Sequence, residues 1–266
     1  MNFQKIKKNA TRYNSNIIMG IEFYIKAHHF VLKNNLIRHL FVSGFIFLLL
    51  FSIGIKGLVS GIESVEPAIT QWLISNFKVY LNLSLEDVKL AIYAAFWIIK
   101  KAIESNKDSI FTSFFLIIGS PYFSMISRKV DEIVSQKLQP FSFRRWIKEI
   151  IRGLKISITN SIKQFFSIII ITLFSFIPFV GIIAPLLTFI IQAYYNGILM
   201  ADYTLEQQDY DVNQSRQFYS NNKPVMFSIG LGFMFLLLIP VIGWFLAPTY
   251  ALVASSLYFL KLKKTI

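Results

Sequence analysis

The sequence predicts an all-α integral membrane protein with two long transmembrane helices, two re-entrant or partly penetrating helical hairpins, and amphipathic surface helices. Three observations predict this class. Hydrophobic residues make up 55% of the 266 residues, with 27 Phe, which is too apolar for a soluble domain of this size. Two long runs, 40–55 and 110–126, carry no charge. A proline- and glycine-containing motif occurs twice, at 177–185 and 239–248.

The first residues form a basic tail, 1–19, which we expect to precede a single membrane domain over 20–266. The tail lacks the compact apolar segment of a cleavable signal. Residues 20–32 are amphipathic and are predicted to form a helix on the membrane surface. Asn34 and Asn35 should end this helix, because Asn favours turns and helix starts.

The middle of the chain contains the two predicted long helices. The first should extend from the run at 40–55 to about residue 57, and the alternating apolar and charged residues of 62–106 predict a helical hairpin at the outer interface. The second, 110–126, is expected to kink at Pro121. The basic amphipathic segment 143–163 then predicts a helix on an anionic leaflet.

Each copy of the repeated motif is Ile-Pro, two apolar residues, Gly, a short apolar run and Ala-Pro. The copies lie inside an internal repeat of apolar stretches, 163–201 and 224–262. A proline within a helix removes a backbone hydrogen bond and clashes with the preceding turn. Pro178 and Pro240 are therefore expected to end the first helix of each copy.

The second proline of each copy, Pro185 or Pro248, is expected to open the next helix, because a missing N–H costs nothing in a first turn. Gly181 and Gly243 would lie in the tips between the helices. Arms of about 13 to 17 residues would be roughly 20–25 Å long, against a hydrocarbon core of about 30 Å. This predicts hairpins that enter the membrane and return to the same side. The sequence leaves open the alternative of a tight turn between two complete spans.

The net charge of +13 comes mainly from Lys and Arg in 1–38, 128–163 and 261–264. This distribution is typical of the cytoplasmic segments of a multi-pass inner-membrane protein. We therefore expect both termini in the cytoplasm, and anionic lipid headgroups rather than nucleic acid as partners.

Catalytic and metal chemistry is not expected. The chain has no Cys, and its three His, at 28, 29 and 39, lack further ligands at helical spacing. It contains no phosphate-binding loop and no nucleophile–base pair. We expect a protein that is not an enzyme and that has neither a metal nor a cofactor.

Further residues and short motifs lie before, between and within the two motif copies. They are Gly20, Asn35 and Arg38; Ser120-Pro121-Tyr122 with Val130 and Asp131; Ile177-Pro178, Gly181 and Ala184-Pro185; Asp202-Tyr203, Arg216 and Gly232; and Ile239-Pro240 with Ala247-Pro248. Over about 20–262 this series resembles the CysZ family of bacterial sulfate permeases, which shares a domain with an endoplasmic-reticulum protein induced by etoposide.

The resemblance implies a helical membrane protein with two spanning helices and two partly penetrating hairpins, assembled as a dimer or larger oligomer. It also implies sulfate uptake that supplies sulfur assimilation. The chain departs from the family at the start of the first span, where the family has a Gly and paired arginines. Here the residues are Asn35, Ile37 and Arg38, so one cation is missing.

A permease for a dianion must replace water with oriented donors and positive charge. The first predicted source is the start of the first span. It consists of Asn34, Asn35, the free N–H groups of Leu36 and Ile37, and Arg38.

The second predicted source is the pair of hairpin tips, whose inner helices would begin at Pro185 and Pro248 and point into the membrane. Asp202 and Arg216 are predicted to form a structural ion pair, since a carboxylate repels sulfate. In the alternative interpretation, Arg38 only reaches lipid phosphates and the tips only pack. The protein would then be a membrane scaffold or membrane-shaping protein that moves no solute.

Overall fold

The computed structural model describes residues 17–46, 48–49, 107–136, 142–175 and 177–264, together with isolated positions between 64 and 94. In these parts of the chain all regular structure is helical. The predicted outer hairpin, apart from those positions, and the predicted first span beyond residue 49 lie outside the described residues.

The helices of the described part are numbered here in chain order. They are α1 (Ile17–Lys33), α2 (Ile37–Ile46), α3 (Lys107–Ser135), α4 (Phe143–Phe174), α5 (Pro178–Gln207), α6 (Val212–Asn221), α7 (Lys223–Leu237) and α8 (Ile242–Lys264).

Within the described residues, three segments are long and apolar enough to cross a membrane: Ile151–Phe174 of α4, Phe179–Gln207 of α5 and Ile242–Lys263 of α8. Helices α2 and α7 are shorter apolar helices. The protein is an all-helical membrane protein, which confirms the predicted all-α membrane class.

The first hairpin is longer than predicted. Helix α4 has 32 residues, so the predicted surface helix at 143–163 and the first hairpin arm are one continuous helix. Helix α5 has 30 residues. At 1.5 Å per residue the two helices measure about 48 and 45 Å, more than a hydrocarbon core of about 30 Å. The prediction of short arms is wrong here. An exposed apolar row at Ile158, Ile162 and Phe166 continues past Lys163, so the helix does not end there.

Both motif copies form a helix, a turn and a second helix, as predicted, but three of the four prolines occupy other positions. Pro178 is the first residue of α5 rather than the end of α4, because proline at that position gives up no helical hydrogen bond. Pro185 and Pro248 lie inside α5 and α8. Each removes one hydrogen bond close to the helix start, and the ladder beyond it is kept. Pro240 lies in the turn after α7, as predicted.

The two hairpins pack against each other mainly through α5 and α7. Helix α1 packs across α7 and α8, and α3 packs against α5 and α8. Large side chains from five helices fill the space between them, including Phe23, Phe123, Tyr203, Phe233 and Tyr258. These contacts form one continuous core.

The helix ends define two ends of the molecule. We call one the polar end, where α4 begins and where α3, α5 and α8 terminate. There Arg128 Nε donates to Gln207 Oε1 at 3.1 Å, and Lys263 hydrogen-bonds Gln208. We call the other the tip end, because it contains the turns that follow Phe174 and Leu237.

Short helix α6 lies at the polar end and begins at a capping box. Asp211 accepts hydrogen bonds from the amides of Asn213 and Gln214 at 2.7 and 2.8 Å. The Gln214 side chain accepts from the Asp211 amide at 3.0 Å. This cap fixes the start of α6 and thereby directs Ser215 and Tyr219 into the protein.

Candidate functional site

The turn between α1 and α2 is the first predicted anion-binding element. Asn35 has φ 54°, a left-handed conformation that ends helices and that Asn adopts more readily than most residues. The Leu36 amide donates to Val31 O at 3.0 Å, and the Asn34 amide to Phe30 O at 3.1 Å. These amides cap α1. The prediction that the Leu36 N–H is free for an anion is therefore wrong.

The remaining residues of this element start α2. Leu36 is 1% exposed and belongs to the core, whereas Ile37 is 40% exposed. The Arg38 side chain is also exposed. Arg38 thus carries its charge at the surface where α2 begins.

Behind Arg38 lies a group of polar side chains that we call the His39 cluster: His39 and Ser43 of α2, Tyr122 of α3 and Thr249 of α8. His39 Nδ1 lies 2.8 Å from the Tyr122 hydroxyl. Ser43 Oγ lies 3.3 Å from Thr249 Oγ1, and both residues are fully buried. The cluster therefore joins three helices through polar contacts.

One atom of the cluster is unsatisfied. His39 Nε2 is buried and has no hydrogen-bond partner within the described part of the chain. A buried polar atom without a partner is costly, and such atoms are concentrated at functional sites. With the tautomer that carries the proton on Nε2, His39 presents a donor immediately beside the charge of Arg38.

Pro248 lies in the part of α8 that contacts the cluster. Because proline has no N–H, the Trp244 carbonyl four residues earlier loses its helical partner. One residue further along, the Phe245 carbonyl accepts a hydrogen bond from Ser43 Oγ at 3.2 Å. The cluster thus lies against the part of α8 that proline loosens.

The second hairpin tip does not offer the amides that the sequence predicted. The Ile242 amide donates to Pro240 O at 2.6 Å, and the Gly243 amide donates to Ile239 O at 2.9 Å. The Trp244 amide is also used within the turn. The first three donors of α8 are therefore occupied within the turn, so the anion-binding role predicted for this tip has no free amide at these positions.

The tip glycines have a packing role. A Cβ at Gly181 would lie 2.6 Å from the Ser175 carbonyl oxygen, and one at Gly243 would overlap the Leu236 carbonyl. In the first tip the Gly181 amide also donates to Ile177 O at 2.9 Å. Each glycine lets the second helix start directly against the end of the first.

Asp202 does not pair with Arg216, which is exposed on α6. It pairs with Arg152 of α4, whose Nη2 lies 3.3 Å from Asp202 Oδ1. Arg152 also donates to Ser215 Oγ and to the Tyr210 carbonyl, each at 2.6 Å. The prediction of an Asp202–Arg216 pair is therefore wrong: the cation beside Asp202 is Arg152, and Arg216 is exposed.

Tyr219 completes this buried pair by donating its hydroxyl hydrogen to Asp202 Oδ1. Burial raises the pKa of Tyr219 well above its usual value, and the charge of Asp202 acts in the same direction. The hydroxyl therefore stays protonated and keeps its donor role.

A second polar feature, a seam of hydroxyl groups, was not predicted. Ser127 of α3, Thr204 of α5 and Ser256 of α8 meet in the core, with Thr204 Oγ1 2.8 Å from Ser256 Oγ. Ser124 continues the seam by accepting from Gln207 Nε2 at 2.6 Å. The spacing of Ser120, Ser124 and Ser127 on one face of an otherwise apolar helix is the signal that could have revealed it.

A comparison of the sequence with protein families gives a match. The family described as sulfate transporter CysZ/etoposide-induced protein 2.4 matches residues 23–248. The chain belongs to this family. The match extends from α1 to Pro248 and so includes both hairpin tips and three members of the His39 cluster, His39, Ser43 and Tyr122. A comparison with curated proteins gives no significant match.

Membership in the CysZ/etoposide-induced protein 2.4 family confirms the resemblance seen in the sequence. At the level of this family, the description combines a membrane protein with sulfate transport. The positions at which the sequence departs from the resemblance, Asn35 and Ile37, lie in the turn before α2 and at the first residue of α2.

Proposed function

We propose that the protein is a permease for a small inorganic anion, with sulfate as its substrate. The observation that carries the proposal is the position of Arg38, which lies at the surface directly before His39 with its buried, unsatisfied Nε2. Membership in a family described by sulfate transport supports the choice of anion.

The physical argument concerns the cost of dehydrating a dianion. Sulfate loses its hydration on entering a low-dielectric region and needs donors and positive charge in place of water. Arg38 supplies a permanent charge, and His39 Nε2 supplies a hydrogen-bond donor. Both belong to the start of α2, so an anion captured by Arg38 would next meet His39.

The cellular setting is part of the proposal. A multi-pass protein with this charge distribution would lie in the inner membrane of a bacterium, with both termini in the cytoplasm. There it would supply sulfate to sulfur assimilation as a homo-oligomer. The chain's own residues would carry out transport without a cofactor or metal.

The test is radiolabelled sulfate flux into proteoliposomes that contain the purified protein. Arg38→Gln should reduce the flux by at least tenfold, whereas Lys163→Gln, the same loss of charge on an exposed part of α4, should leave it unchanged. Flux through Arg38→Gln equal to wild type would remove Arg38 from the mechanism. No protein-dependent flux in the wild type would favour the scaffold function instead.

A further inference from the structure

An open groove of about 520 Å³ lies where α1 passes the C-terminal parts of α3 and α8. Its floor is apolar and includes Phe23, Val134 and Leu257. Lysines from two helices stand around it, namely Lys26, Lys33 and Lys261. The volume is within the range of about 300–1,000 Å³ typical of small-molecule sites.

The groove carries excess positive charge. The ammonium groups of Lys26 and Lys261 lie 5.0 and 5.6 Å from the centre of the Phe23 ring. Glu22 pairs with Lys26, and this hydrogen bond, with the charges of both lysines, lowers the pKa of Glu22. Lys26, Lys33 and Lys261 thus bring three ammonium groups to the groove, and the carboxylate of Glu22 is paired with Lys26.

The outer face of α1 places the groove at lipid. Ile18, Ile21 and Ile25 are 73%, 55% and 60% exposed and follow one another at helical spacing. An exposed apolar row beside a basic surface is typical of a helix that lies at the level of lipid headgroups. The groove therefore opens where acyl chains and phosphates are both within reach.

We propose that this groove binds one anionic phospholipid. Lys33 and Lys261 hold its phosphate, and an acyl chain covers the apolar floor at Phe23, Val134 and Leu257. A free inorganic anion would leave that floor exposed to water, whereas a lipid satisfies both the charge and the apolar surface. The site is separate from the His39 cluster, so the proposal does not depend on sulfate transport.

The charge requirement is tested by lipid retention in native mass spectrometry of the full chain in mild detergent. Phosphatidylglycerol should be retained over phosphatidylcholine with the same acyl chains. Lys33→Gln with Lys261→Gln should weaken binding roughly thirtyfold, since each lysine near anionic lipid contributes a factor of about five. Lys26 is left in place, because its removal would expose the charge of Glu22.

The matched control is Lys148→Gln with Lys163→Gln, which removes two exposed lysines from α4 and should leave retention unchanged. Equal retention of phosphatidylglycerol by the groove variant and this control would overturn the proposal.

The apolar requirement is tested separately by Leu257→Trp, which adds bulk to the floor and should reduce phosphatidylglycerol retention with the lysines intact. Its elution as a single species in gel filtration confirms folding. Glycerol phosphate, which has the anionic group but no acyl chain, should not displace the lipid. Displacement by glycerol phosphate at concentrations comparable to those of the lipid would identify a simple anion site and overturn the proposal.

Discussion

Gly197 of α5 and Gly230 of α7 meet where the two hairpins cross, and neither position has room for a side chain. A Cβ at Gly230 would overlap the Ala193 carbonyl and lie 2.7 Å from the Gly197 nitrogen. Gly230→Ala should therefore lower the free energy of unfolding by about 1–3 kcal/mol, although Ala favours helix more than Gly. Thermal unfolding of the detergent-solubilised protein, followed by Trp fluorescence, measures the change.

Gly153→Ala provides the control for this prediction. A Cβ there would lie 3.0 Å from Glu206 Oε1, the end of a flexible side chain rather than backbone. That carboxylate has to shift by only a few tenths of an ångström, and Ala gains up to about 1 kcal/mol of helix propensity. A neutral or higher melting temperature is expected for this variant. Equal destabilisation by both variants would show that the crossing is not tight.

Arg152→Met should be strongly destabilising. It leaves Asp202, which is 1% exposed, as a buried charge without its cation, at a cost of about 3–5 kcal/mol. The double variant with Asp202→Asn should recover part of this loss, because neither charge then remains unpaired. Chemical denaturation of the two variants measures the difference.

Arg216→Met tests the corrected pairing. Arg216 is exposed, so its loss should change stability by less than about 0.5 kcal/mol. A loss of stability as large as that of Arg152→Met would instead support the Asp202–Arg216 pair predicted from the sequence.

Val241→Gly should stabilise the second hairpin tip. Val241 has φ 61°, a left-handed conformation that costs a β-branched residue about 1–2 kcal/mol and that Gly adopts without strain. Its side chain is 53% exposed, so little packing is lost. The melting temperature should rise by a few degrees. Val180→Gly, in the helical first turn of α5, should lower it instead, since Gly costs about 1 kcal/mol in a helix.

The sequence predicted those features that depend on local chemistry. The end of α1 at Asn34 and Asn35 and the two helix–turn–helix tips follow from residues that favour turns whatever surrounds them. The continuation of α4 past Lys163 and of α5 through Pro185 was not predictable in this way. Apolar faces and packing partners outweigh a single charge or a single lost hydrogen bond there.

The candidate site was predictable only in part for the same reason. Arg38 could be identified because it stands at the start of an apolar run. The partner of Asp202 could not, since Arg152 is 50 residues away in a segment predicted to lie on the membrane surface. Likewise, the polar contacts of His39 with Tyr122 and Thr249 could not be predicted, because long-range packing brings these residues to α2.

Tyr122→Phe tests whether the His39 cluster takes part in the proposed transport. The variant removes the hydroxyl that lies 2.8 Å from His39 Nδ1, so the ring loses the contact that fixes its orientation. Sulfate flux at low sulfate should fall about fivefold, corresponding to a hydrogen bond worth about 1 kcal/mol. Tyr250→Phe is the control, because its hydroxyl contacts His28 at 2.9 Å on α1. It should leave the flux unchanged. Melting temperatures of the two variants separate transport from folding, and an equal fall in flux for both would assign the effect to general packing rather than to His39.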